Sequence, residues 1–301
     1  MRGMATQSIL TLDSAIGFTI PLRHARGRLV RLGPTLGTIL GHHHYPPAIA
    51  RVLAEALVLA ALFGATLKDA GGQLTLQAQT EGGAIDLLVC DYKGGALRGY
   101  LRHDPDRAAA LPADASLGDL FGKGYLAITF DQAATGERYQ GIVPLEGSSL
   151  AEAAQSYFAQ SEQIPSLVAI GIGLDDNGAH VAGGLLLQHL PEGEEGRDRI
   201  HTRLDHPEWE AVAALGRTIS ADELADPMLP LETLLWRLFN EEEVRVTPGL
   251  DLRHECRCDP EHVRSVIERF PAEERREMAD EHGIIQVDCE FCGSQFRLSA
   301  A

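Results

Sequence analysis

The sequence predicts an α+β fold: an N-terminal core domain of β-sheets with helices, a helical linker, and a small C-terminal four-cysteine domain. Three observations predict it. Runs with period-two alternation come in groups, with helical stretches between them and no repeated βαβ phosphate loop. Composition shifts at Pro191 toward charge and glycine. Two close cysteine pairs, Cys256-Arg257-Cys258 and Cys289-Glu290-Phe291-Cys292, stand near the C-terminus. The expected boundaries are 1–191 for the core, 192–243 for the linker and 244–301 for the cysteine domain.

In the core, Arg28 to Leu32 reads as a strand. Tyr45-Pro46-Pro47 opens a helix, where proline is tolerated in the first turn. Apolar residues at Ile49, Val52, Leu53, Ala56, Leu57, Ala60 and Ala61 then recur at helical spacing. Gln73 to Gln79 alternates with period two, and Ile85 to Cys90 and Leu97 to Leu101 follow as strands around a turn at Gly94-Gly95. Gly124 to Phe130 and Tyr139 to Val143 form a second hairpin. Leu150 to Gln160 is helical and ends at Gln163-Ile164-Pro165. Leu167 to Leu174 and Val181 to Leu190 complete the strands.

The charged stretch Glu192 to Arg199 reads as connecting chain. Helices are expected at Trp209 to Leu215, after the capping box Ser220-Ala221-Asp222-Glu223, and at Leu231 to Phe239. They are short, charged and interrupted by proline, so they need a neighbouring surface for stability. That makes the segment a candidate for regulated unfolding; the plain alternative is a structural connector. In the cysteine domain, Asp259-Pro260-Glu261 starts a helix to Phe270, and Pro271-Ala272-Glu273-Glu274 starts another to about Glu281. Gly283 breaks it, and Ile284 to Val287 leads as a strand into the second cysteine pair.

The net charge is -17, and 45% of the chain is hydrophobic. A global nucleic-acid or anionic-membrane binder would be basic, so both partners are disfavoured. The most apolar stretch, Ile49 to Leu67, is interrupted by Arg51 and Glu55 and reads as a buried helix. Met1 to Leu12 lacks the basic start and apolar block of a signal peptide, so a cytoplasmic protein is expected. Five cysteines, four of them clustered, suit metal binding or redox chemistry in a reducing compartment. The fifth, Cys90, lies in an apolar run and reads as a small buried hydrophobe.

Four sulfurs in two close pairs form the ligand set of a closed zinc site. A closed set leaves no position for the bound water of a hydrolytic zinc enzyme. His254, His262 and His282 lie nearby in sequence but are not needed to complete it. Thiolates are also the form that oxidants attack. If oxidised, each pair can close on itself, and a small strained C-x-C ring is readily reduced again. The cysteines alone leave two readings open, a plain zinc knuckle and a reversible redox switch.

Several stretches together resemble the bacterial heat-shock protein 33 family of redox-regulated chaperones. They are the two cysteine pairs, Gly136 to Val143 with Leu145-Glu146-Gly147, Ser161 to Pro165, Ala182 to Gln188, and Leu235 to Glu243. The resemblance implies an ATP-independent holdase and no enzyme activity. It implies one Zn2+ per chain in the reduced, inactive state, held by Cys256, Cys258, Cys289 and Cys292. Oxidation would form the disulfides Cys256–Cys258 and Cys289–Cys292, release zinc and loosen the linker. Exposed apolar surface would then hold unfolding client proteins during oxidative and heat stress, and the oxidised form would be a homodimer. Two features depart from expectation, the run His42-His43-His44, which reads as a surface loop, and the extra thiol Cys90. The competing classes are a zinc-ribbon adaptor and a thiol–disulfide enzyme. The charge weighs against a nucleic-acid adaptor, and no βαβ setting for Cys289-Glu290-Phe291-Cys292 supports the enzyme.

Overall fold

A computed structural model describes residues 12–67, 71–112, 115–190 and 207–300. The charged stretch read as connecting chain and residues 1–11 lie outside the described residues. The chain opens with β1 (Ser14–Ile20) and β2 (Ala25–Leu32), a tight antiparallel hairpin. Helix α1 (Pro34–Gly41) follows, then the long helix α2 (Pro47–Gly64). Only Pro47, Ala48, Arg51 and Glu55 of α2 escape full burial. It is the one described helix long and apolar enough to cross a membrane, and here it fills the centre of the core. Leu57 and Leu53 face one sheet at Gly99, and Val58 and Leu62 face the other at Gly184.

The meander β3 (Gln73–Gly82), β4 (Ile85–Lys93) and β5 (Ala96–His103) matches the alternation read from the sequence. Gly94 and Gly95 both take positive φ, the condition for a two-residue hairpin turn. Short helices α3 (Pro105–Ala109) and α4 (Leu117–Phe121) lead to the hairpin β6 (Gly122–Gln132) and β7 (Glu137–Pro144). Helix α5 (Leu150–Tyr157) continues into a wider π turn, Phe158–Glu162, and stops at Gln163 with φ 54. Strands β8 (Ser166–Leu174) and β9 (His180–His189) pair and complete the first sheet.

The linker helices α6 (Pro207–Gly216), α7 (Ala221–Ala225) and α8 (Leu231–Phe239) are placed as expected, and the Ser220–Glu223 capping box is formed. The surface they need is the outer face of the first sheet. Trp209, Leu234, Leu235 and Phe239 bury themselves there against Phe18, Ile20, Leu29 and Leu187. Two glycines let α7 approach to backbone distance. A Cβ at Gly171 or Gly183 would lie 2.0 Å from Ala221 O or 2.2 Å from Leu224 O. Arg31 of β2, 2% exposed, pins the same place. Its guanidinium donates to the carbonyl oxygens of Glu223, Leu224 and Leu229.

The chain then crosses both sheets. Strand β10 (Arg245–Asp251) pairs with β1, and the two-residue β11 (Arg253–His254) runs parallel to β5. The sheet orders are β10-β1-β2-β9-β8 and β11-β5-β4-β3-β6-β7. Residues 245–254, read from the sequence as the start of the cysteine domain, thus serve as outer strands of the core. Beyond them lie α9 (Pro260–Ile267), α10 (Ala272–Met278) and the hairpin β12 (Ile284–Asp288) with β13 (Gln295–Ser299). Helices α9 and α10 contain no buried residue.

Candidate metal centre

Each cysteine pair is positioned by a local device. β11 delivers Cys256 and Cys258, and the chain turns at once into α9. Asp259 accepts from the Glu261 N–H, and Pro260 fills the first helical position. The second pair forms a tight knuckle after β12. Cys289 N–H donates to Ser294 O, and Gly293 N–H donates back to Cys289 O at 2.7 Å. Gly293 has φ 66, a conformation that favours glycine.

These devices bring the four sulfurs together. Cys256 Sγ lies 3.7 Å from Cys289 Sγ, and Cys258 Sγ lies 3.6 Å from Cys292 Sγ. All four lie within 4.8 Å of one another, the single such group of potential ligands among the described residues. The edge of a tetrahedron with zinc–sulfur bonds of about 2.3 Å is about 3.8 Å. The donor set and its spacing therefore fit one zinc ion. None of the four is fully buried, so oxidants can reach them.

The four thiols differ in their surroundings. Burial, with the Cys256 and Cys292 thiols, pushes Cys258 up to about 12. Burial likewise raises Cys289, against donation from the Phe291 and Cys292 N–H groups. Burial opposes ionisation of Cys292, but the Ser294 hydroxyl and N–H together with the Cys256 and Cys258 thiols outweigh it and bring that thiol down to about 7. Cys90 stands apart. It is wholly buried under α2, and burial raises its thiol well above the usual range, as its apolar setting suggests.

Neither His262 nor His282 joins the sulfurs, and His254 meets a different partner. Its ring lies 5.1 Å from that of His42. His43 Nε2 contacts Glu290 O at 2.7 Å. The histidine run, read as a surface loop, thus touches the cysteine domain at two points. Two further contacts come from residues inside the cysteine motifs. Arg257 forms an ion pair with Asp91 of β4 at 2.8 Å. The ring of Phe291 receives the Arg98 guanidinium at 4.1 Å and the edge of Tyr100 at 5.0 Å. The sequence did carry a signal for Asp91: a carboxylate closing an apolar run needs a cation.

The family model described as Hsp33 protein matches residues 13–299. This chain belongs to the Hsp33 family. The 33 kDa chaperonin of Caulobacter vibrioides is 40% identical over 99% of this chain and 98% of that relative. The 33 kDa chaperonin of Shigella boydii is 38% identical over 91% of this chain and 88% of that relative. The crystal structure of the 33 kDa chaperonin from Thermotoga maritima superposes with a TM-score of 0.79. It covers 96% of this chain and 95% of that one at 23% identity, which supports the α+β fold. Membership of the Hsp33 family makes this chain a chaperone, not an enzyme.

Proposed function

We propose that this Hsp33-family chain is a redox-regulated, ATP-independent holdase of the cytoplasm. In this reading residues 1–191 form the chaperone core, 192–243 the metastable linker and 244–301 the redox domain, whose first strands lie on the core. Cys256, Cys258, Cys289 and Cys292 hold one Zn2+ in the reduced, inactive state. The observation that carries the reading is four reachable sulfurs within 4.8 Å in a domain whose helices bury nothing.

A bound zinc supplies the energy that such a domain lacks, roughly 10–16 kcal/mol in small zinc peptides, and keeps the sulfurs as thiolates. Each cysteine pair gives two electrons to one peroxide. An S–S bond forms, the O–O bond breaks, and two protons carry the oxygens away as water. The proposed disulfides are Cys256–Cys258 and Cys289–Cys292. Their sulfurs can no longer serve as thiolate ligands, and the domain loses what folds it. The linker helices then loosen from the first sheet, exposing the apolar face around Phe18, Ile20 and Leu187. Clients are unfolding proteins, and the oxidised protein dimerises through surface freed in this way.

The test treats reduced, zinc-loaded protein with peroxide at raised temperature. Zinc release is followed with a chromogenic chelator and client aggregation by light scattering. Both zinc release and suppression of aggregation are expected. Release without suppression defeats the chaperone switch.

A further inference from the structure

The residue between the first two cysteines leaves the sulfur cluster and enters the core. Arg257 Nη2 donates to Asp91 Oδ2 at 2.8 Å, and Nη1 donates to Gln73 Oε1 at 2.9 Å. Asp91 is 4% exposed and also accepts from Thr75 Oγ1 and Arg98 Nε. Arg98 in turn lies over Phe291, inside the second cysteine motif. The middle residues of both motifs therefore converge on one carboxylate–arginine pair in the six-stranded sheet.

We propose that Arg257 is the positioning residue that docks the cysteine domain on the core, and that closing the first cysteine pair withdraws it from Asp91. The second clause rests on the redox-switch reading above. In an extended chain, successive side chains alternate in direction. Cys256 and Cys258 point into the cluster, and Arg257 points the other way, into the sheet. Cα atoms two residues apart span up to about 7 Å when extended. A disulfide prefers about 5.5–6 Å and fixed dihedrals. Joining Cys256 to Cys258 consumes two electrons' worth of a peroxide, leaves two waters, and bends the peptide at Arg257. The guanidinium cannot then hold both Asp91 and Gln73.

Asp91 keeps Arg98 and Thr75 when Arg257 departs, so the sheet stays paired and only the docking is lost. The loss travels along the chain. Just upstream, Arg253 N–H donates to Gly95 O and Glu255 N–H donates to Leu97 O. These bonds hold β11 on β5, at the end of the stretch whose other half, β10, pairs with β1.

Hydrogen exchange at the Arg253 and Glu255 amides reads the docking directly. Reduced, zinc-loaded Arg257→Ala is expected to keep one zinc per chain while these amides exchange about tenfold faster, the worth of a charge-assisted hydrogen bond. Arg257→Lys, a point charge of the same sign, is expected to restore part of the protection. Oxidised wild type should show at least this acceleration. Unchanged exchange in Arg257→Ala overturns the docking role. So does loss of zinc from that reduced variant, which would assign Arg257 to the metal site. Unchanged exchange in oxidised wild type overturns the withdrawal. Failure of oxidised wild type to hold a client defeats the chaperone-switch reading and leaves the docking role standing, because that role is tested in the reduced protein.

Discussion

Helix α2 and helices α9 and α10 are built from opposite principles. The first is apolar nearly all round and disappears between two sheets. The others are amphipathic at most and bury no residue. Within the cysteine domain beyond β11, burial is confined to Ile285, Leu298 and Ala300. A core of that size cannot offset the entropy of ordering its chain. The difference teaches where control can be exerted. The core rests on its own buried apolar contacts, while under the proposed function the cysteine domain rests on its four sulfurs.

Removing a sulfur should break the comparison most severely. Cys289→Ser or Cys292→Ser is expected to lower zinc content well below one per chain and cost the domain a large part of about 10–16 kcal/mol. Metal analysis and exchange of the β12–β13 amides measure this, with the melting temperature of the core unchanged. Full zinc content in both variants would sink the ligand assignment. The complementary change is Leu57→Ala, which opens a cavity under α2. It should cost about 2–5 kcal/mol in core stability by denaturant unfolding. Zinc content should be untouched, and a parallel loss of zinc would show that the two regions are not separable.

The linker lies between these extremes, and Arg31→Met sharpens its place. Three carbonyls lose their cationic donor, at about 1.5–3 kcal/mol of docking. Limited proteolysis of the reduced protein should cut within 207–239 before the core is touched. Equal protection in variant and wild type would make the linker part of the core proper. The smallest effect concerns Glu55, whose side chain caps α5 by accepting from Ala151 N–H at 2.9 Å. Burial raises its carboxyl above the usual range, despite that bond. The folded state therefore disfavours the ionised form, and stability falls as pH rises from the unfolded value through the folded one. Glu55→Gln should raise the melting temperature at pH 7 by no more than about 2–4 °C, with the gain vanishing below pH about 4.

Where an element's period was plain in the chain, the sequence was legible. The alternation of Gln73 to Gln79 and the spacing from Ile49 to Ala61 both mark real elements. So did local chemistry, as at Ser220, Asp259 and Gly94-Gly95. Strand β1 escaped notice because it is buried on both faces and shows no alternation. Strand β10 escaped for the opposite reason: it is exposed throughout and contains Pro248 and Gly249, tolerated only at an edge. The sulfur cluster was legible because four cysteines carry their own geometry. Its seating on the core was not, since Arg257, Asp91, Arg98 and Phe291 are far apart in sequence and meet only through the sheet.

The crossing formed by β10 and β11 has one more consequence. Each sheet owes the cover of one flank to this single stretch of ten residues. Lifting it would bare N–H and C=O groups on β1 and β5 at the same moment. A bare row of backbone groups reads no side chains and accepts any extended polypeptide. The same ten residues that join the cysteine pairs to the preceding helices are thus also a guard against indiscriminate strand pairing by the protein itself.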